Sequence, residues 1–142
     1  MPGELFNDQE IKLNLDVIKH ICDAVLLKEG REENVNIVFV KIDEIENYNR
    51  SYRKKHEPTD VLSFTYGLPE LLGEVYVCPE YVKENAKEFG VTFNEELLRV
   101  CIHGLLHLCG YDHEKDEESA RQMFDRQESY LSYFSDSFDK IS

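Results

Sequence analysis

The stretch that most constrains this chain runs from residue 94 to 113, where a helix-length apolar pattern carries two histidines and then breaks at a glycine. At about 100° per residue, His103 and His107 lie about 40° apart, on one face and one turn from each other. With His103 at zero, Leu97, Leu98, Cys101, Ile102, Leu105, Leu108 and Cys109 all fall between about 120° and 260°. The apolar side is therefore the back of the helix. A fold for this sequence must bury that back and leave the histidine side facing a cleft.

Gly110 ends the helix and can take a left-handed conformation at little cost. A chain that doubles back there brings His113 toward the helical pair. Three of the five histidines thus fall within eleven residues, with a glycine where the chain has to turn. Two imidazoles one helical turn apart can share a tetrahedral ion. Three neutral imidazoles leave its fourth position to water, the pattern of a catalytic rather than a structural zinc. Zinc lowers the pKa of such a water to about 7. Imidazole also suits nickel and other metals. Cys101 and Cys109 point about 120–160° away from the histidines and are assigned to the core. His20 and His56 are read as an exposed helix-edge residue and a charged-loop residue.

The spacing HxxxHxxGxxH is shared with the metzincin peptidases, which carry glutamate directly after the first histidine as their general base. Here that position is Gly104. A peptidase of that type would lack its proton acceptor. Gly104 lies about 60° from His107 on the helical wheel, so its missing side chain is expected to leave room beside the metal for a bulky ligand.

Around this segment the chain reads as one domain, 1–142. The apolar residues of 14–29 are at helical spacing and Gly30 stops them. NVNIVFV (34–40) is a strand candidate, 42–55 a polar helix, and 60–66 and 73–78 two further strands joined through GLPE. Pro79 opens a helix stopped by Gly90. Asn94 is expected to cap the helix that runs to Cys109, and a last helix covers 115–133. The extreme N-terminus offers only an indistinct edge strand. The expected class is α+β: a small mixed sheet of three or four strands packed by helices, with a central helix carrying the HxxxH pair.

Cys22, Cys78, Cys101 and Cys109 show no CxxC spacing and are read as small core hydrophobes. No apolar run reaches the roughly 18 residues of a membrane span, and the N-terminus lacks a basic start followed by an apolar stretch. A cytoplasmic location is the expectation. The formal net charge of −13 excludes a protein coated in basic patches for nucleic acid.

The eleven residues HGLLHLCGYDH match without a gap the signature HGxLHLxGYDH of the YbeY family of bacterial rRNA maturation factors. SYRKKHEPTDVLSFTY resembles the family's YRxKxxPTxVLSFxx through Tyr52, Arg53, Lys55, Pro58, Thr59, Val61, Leu62, Ser63 and Phe64. LGEVYVC (72–78) is similar to LGDIxIC, with Glu74 where aspartate is usual. The resemblance runs from about residue 34 to 125. It implies a single-strand-specific, metal-dependent endoribonuclease acting in 16S rRNA 3′-end maturation and ribosome quality control. It also implies a zinc ion held by His103, His107 and His113, and a small sheet packed by helices.

Residues 49–56 form the one cluster of positive charge. Arg50 and Lys54 are read as a solvated helix face. Arg53 matches the family's functional arginine, and its guanidinium fork can grip two phosphate oxygens. Facing the metal, it would stabilise charge building on phosphorus. At −13 overall, binding to free RNA is expected to be weak and salt-sensitive, with help from the small ribosomal subunit or its proteins. No DNA or membrane partner is expected. Asp112 is read either as orienting a ligand imidazole or as capping a turn, and Glu74 as a solvent-facing strand residue rather than a proton-transfer group. Two rival readings are a zinc hydrolase of peptide or amide bonds, which Gly104 counts against, and an assembly factor whose metal is mainly structural.

Overall fold

A computed structural model describes residues 3–53 and 59–142, apart from the side chains of residues 52 and 53. In chain order the elements are β1 (Gly3–Asn7), α1 (Leu15–Lys28), β2 (Asn34–Phe39), α2 (Ile42–Arg53), β3 (Val61–Thr65) and β4 (Leu71–Val77). Then come α3 (Pro79–Phe89), α4 (Phe93–Leu108), α5 (Glu117–Tyr133) and a 3-10 turn over Ser135–Lys140.

The four strands form one mixed sheet in the order β1-β2-β4-β3. β1 and β4 run parallel to β2, and β3 returns antiparallel along β4 with Ser63 opposite Val75. Alternation along the strands sorts the two faces. Val35, Ile37 and Phe39 of β2 and Val75 and Val77 of β4 are fully buried, in one cluster with α1 and α4. The opposite face carries Val38, Leu62, Phe64 and Tyr76 and is covered by α2 through Ile45 and Tyr48. The expected α+β class is the observed one, and the indistinct N-terminal strand is a real edge strand.

Local chemistry sets the ends of the helices. Asn14 accepts from the Val17 amide at 3.3 Å to open α1. Pro79 starts α3, where its missing N–H is no loss, and left-handed Gly90 ends it. The cap of α4 is Thr92, whose hydroxyl accepts from the Glu95 amide at 3.1 Å, and not Asn94 as expected. The Asn94 amide instead donates to the Phe138 carbonyl at 2.7 Å, fastening the C-terminal turn. Asp116 caps α5, which therefore begins at Glu117.

α4 is the hub. It packs on β3 and β4 and against α1, α3 and α5. The expected back face, Leu97, Leu98, Cys101, Ile102, Leu105 and Leu108, is buried, and Cys109 is half-buried. Val100 and Leu106, which flank the histidines, are buried as well. All four cysteines are free, and burial alone pushes the Cys101 thiol up to about 12. No helix of the described residues is long and apolar enough to cross a membrane.

Candidate metal centre

The site begins with how closely α4 can approach the sheet. Gly104 is buried, and a Cβ placed there would lie 2.6 Å from Val75 Cγ1 and 3.2 Å from Ser63 Oγ. The Ser63 hydroxyl donates to the Gly104 carbonyl at 3.3 Å. The glycine thus seats the helix on β3 and β4. The expectation that it leaves room for a ligand is wrong, because its open side is filled by Val75.

At the far end of α4, Gly110 takes φ 103°, which an L side chain rarely adopts. Its amide reaches the His107 carbonyl at 3.1 Å, and the Tyr111 amide reaches that of Leu106 at 3.1 Å. These bonds form a Schellman-type stop. Asp112 Oδ1 then accepts from the Glu114 amide at 2.9 Å, so of its two readings the structure selects the turn cap. The doubled-back chain sets the His113 ring 5.1 Å from that of His103, inclined at 60°.

Two residues, Arg31 and Glu29, anchor this turn. The Arg31 guanidinium donates to the Cys109 carbonyl at 3.3 Å. Glu29, at the end of α1, accepts from the Tyr111 hydroxyl at 3.0 Å, from Arg126 at 2.9 Å and from the Tyr130 hydroxyl. Burial alone would raise the Glu29 carboxyl, but the bonds from Tyr130, Arg126 and Tyr111 outweigh it and hold it below the usual glutamate range. A carboxyl lowered on folding stabilises the fold above its unfolded pKa, near about 4.3, and that stability is lost as pH falls through the folded pKa. The stability difference between wild type and Glu29→Gln, read from urea melts, is therefore expected to shrink from pH 7 to pH 3. A difference that stays constant with pH would remove Glu29 from the account.

His103, His107 and His113 line one cleft of about 380 Å³ with Val61, Ser63, Phe64 and Glu114. His103 and His107 are half-buried, while the His113 side chain is 44% exposed, 3.9 Å from Glu114. Burial, aided by His113 and His107, outweighs the opposing pull of Gln127 and Asp60 and lowers the His103 pKa, which favours the neutral ring a ligand needs. Its Nδ1 sits 2.8 Å from Gln127 Oε1. Sequence reading missed Gln127, since nothing local links residues 24 apart. His107 Nδ1 is buried with no hydrogen-bond partner.

The donor set suits zinc in part of its geometry. Two imidazoles bonded at about 2.0–2.1 Å to one tetrahedral ion have ring centroids about 5 Å apart, and His103 and His113 stand at 5.1 Å. Among the described residues, no three His, Cys, Asp or Glu groups are gathered into a finished cation site.

A larger hollow of about 560 Å³ mixes Lys41, Lys83 and Lys87 with Asp43, Glu80 and Glu84. It contains no histidine, so chemistry rather than size singles out the smaller cleft. Beside that cleft, the half-buried Asp60 carboxyl is raised by burial, and the Asn85 amide donates to it at 3.3 Å. Glu74 faces away from the histidines, on the α2 side of the sheet. It is half-buried rather than solvent-facing, and accepts from Asn36 at 3.1 Å, Tyr66 at 2.8 Å and Tyr76 at 3.2 Å. Arg50 pairs with Glu46 at 2.6 Å on an exposed helix face, and His20 is exposed, both as expected. The side chain of Arg53, and Lys54 and His56 entirely, lie outside the described residues.

A family model described as Endoribonuclease YbeY matches residues 5–135. The chain belongs to the YbeY family. The matched span contains Arg53 and all three cleft histidines. Among YbeY relatives, the Endoribonuclease YbeY of Thermotoga petrophila is 44% identical over 82% of this chain and 78% of its own. That of Petrotoga mobilis is 43% identical over 92% of this chain and 94% of its own. A solution structure of a Thermotoga maritima protein superposes with a TM-score of 0.70 at 36% identity. It covers 96% of this chain and 95% of that one.

Proposed function

We propose that this chain is a metal-dependent endoribonuclease that cuts single-stranded RNA, with the 3′ region of 16S rRNA as its substrate in ribosome maturation and quality control. The observation that carries the reading is that His103, His107 and His113 line one cleft in a chain of the YbeY family.

In this reading the three imidazoles hold zinc. When bound, zinc supplies Lewis acidity and a water of lowered pKa. The chain's own residues do the rest. The sheet and α4 fix two imidazoles on a rigid face, and the Gly110 turn delivers the third. Arg53 clamps the phosphate, holding two of its oxygens in a planar fork that a lysine ammonium does not reproduce. The net charge of −13 repels RNA at long range, so the small ribosomal subunit or one of its proteins supplies the encounter.

The test is metal analysis of the purified protein together with cleavage of a 16S 3′-end RNA, single-stranded and annealed to its complement. Cleavage of the single strand that stops on chelation and returns with zinc is expected. Arg53→Ala is expected to keep its metal and lose roughly 10²- to 10³-fold in kcat, the usual cost of a lost transition-state charge contact. Arg53→Lys should recover only a small part of that. Chelator-resistant cleavage, or zinc-dependent activity on casein with none on RNA, would overturn the reading.

A further inference from the structure

Gln127 is a buried polar residue, 6% exposed, on the side of α5 that packs against α4. Its two ends meet different partners. Oε1 lies 2.8 Å from His103 Nδ1, and Nε2 donates to Glu128 Oε2 at 3.1 Å. Glu128 is itself gripped by Arg99, through Nε at 3.0 Å and Nη2 at 3.2 Å. Arg99 also holds Glu96 at 2.6 Å and Glu95 at 2.9 Å, so it is fixed to its own helix.

This arrangement leaves the amide one orientation. Turned over, its oxygen would face the Glu128 carboxylate, acceptor against acceptor, in a buried place where an unmade bond is costly. With the amide nitrogen committed to Glu128, the oxygen must face His103. An oxygen can only accept, so His103 Nδ1 must carry the proton. The imidazole is then left with its lone pair on Nε2.

We propose that Gln127 is a positioning residue that locks His103 in the Nδ1–H tautomer, with Arg99 and Glu128 setting the amide's direction, so that Nε2 is free for the cleft. This rests on the reading of His103 as a metal ligand through Nε2. Carboxylates and carbonyls commonly orient metal-bound histidines through the second ring nitrogen. An amide does so without adding charge.

The experiment is long-range ¹⁵N NMR of the histidine rings in metal-free protein, at a pH where His103 is neutral, with zinc titrations alongside. Wild type is expected to show a pyrrole-type Nδ1 and a pyridine-type Nε2 for His103. Gln127→Met, similar in volume and without a comparable acceptor, should shift that ring toward the Nε2–H form and bind zinc roughly 10- to 100-fold more weakly. In RNA cleavage it should lower kcat with KM unchanged.

A wild-type spectrum with Nε2–H, or a methionine variant with wild-type tautomer and zinc affinity, overturns the proposal. If the methionine variant does not fold, the wild-type spectrum still decides. The two readings fail separately. Metal-dependent RNA cleavage with the wrong tautomer removes the role of Gln127 alone. The right tautomer in a protein that neither binds zinc nor cuts RNA removes the enzymatic reading.

Discussion

His107→Ala is expected to fold, to melt within a few degrees of wild type, to retain no zinc, and to cleave single-stranded RNA at least about 10³-fold more slowly. The stability half of this expectation comes from the hydrogen-bond pattern. His107 Nδ1 is buried and has no partner, so removing the ring strands no donor or acceptor. The loss is then limited to the packing of a half-buried side chain, about 1 kcal/mol, in the middle of the usual mutational range. The activity half follows from the ligand count, since a metal supplies several kcal/mol to the transition state and each 1.36 kcal/mol is about tenfold in rate. His103→Ala should lose as much activity but more stability. It leaves the buried Gln127 oxygen without its partner, at a further cost of about 1–3 kcal/mol. Metal content, thermal melts and RNA cleavage of both variants check the pair. A zinc-loaded, active His107→Ala protein would remove the histidine cleft as the catalytic centre.

The parts of this molecule legible in the sequence are those fixed by local periodicity and turn chemistry. The buried back of α4, the stops at Gly30, Gly90 and Gly110, and the return of His113 toward His103 all follow from residues close in the chain. What stayed hidden depends on partners distant in sequence. β1 is a five-residue edge strand with a weak pattern of its own. It is held where Asp23, itself paired with Lys19 at 3.0 Å, accepts from the Gly3 amide at 2.7 Å. Thr92 and Asn94 are both good capping residues. The winner was decided by the extended backbone of Thr92 and by Phe138, which occupies the Asn94 amide. Glu74 alternates as a strand residue should. Its burial comes from Asn36, Tyr66 and Tyr76, of which only Tyr76 is near in the chain. A helical wheel gives the direction of a side chain but not the distance to the next layer. That is why Gly104 was assigned to the ligand's space when Val75 already fills it.

Gly104 gives the other large expected effect, and its sign separates two accounts of the residue. In an open helix position, replacing glycine by alanine gains about 0.5–1 kcal/mol through helix propensity. Had Gly104 faced an empty ligand space, Gly104→Ala would raise stability and weaken only substrate binding. The new methyl instead falls 2.6 Å from Val75 Cγ1, where unstrained carbon contacts stand about 3.5–4.0 Å apart. Overpacking of this kind costs about 1–3 kcal/mol, which exceeds the propensity gain. Gly104→Ala is therefore expected to lose about 1–2 kcal/mol net, and to bind zinc more weakly as α4 is levered off β4 with His103 and His107 on it. Val75→Ala opens a cavity and destabilises alone. Introduced into Gly104→Ala, however, it removes the clashing methyls. The double variant should then be more stable than the two single losses sum to, by about 1 kcal/mol or more, the coupling expected of residues in contact. Gly104→Glu places a carboxylate with the metzincin spacing against the same wall. It should give no folded protein rather than a peptidase, since neither Val75 nor Ser63 can accommodate a buried charge. A more stable Gly104→Ala protein, or strict additivity with Val75→Ala, would return the glycine to the ligand's side of the helix.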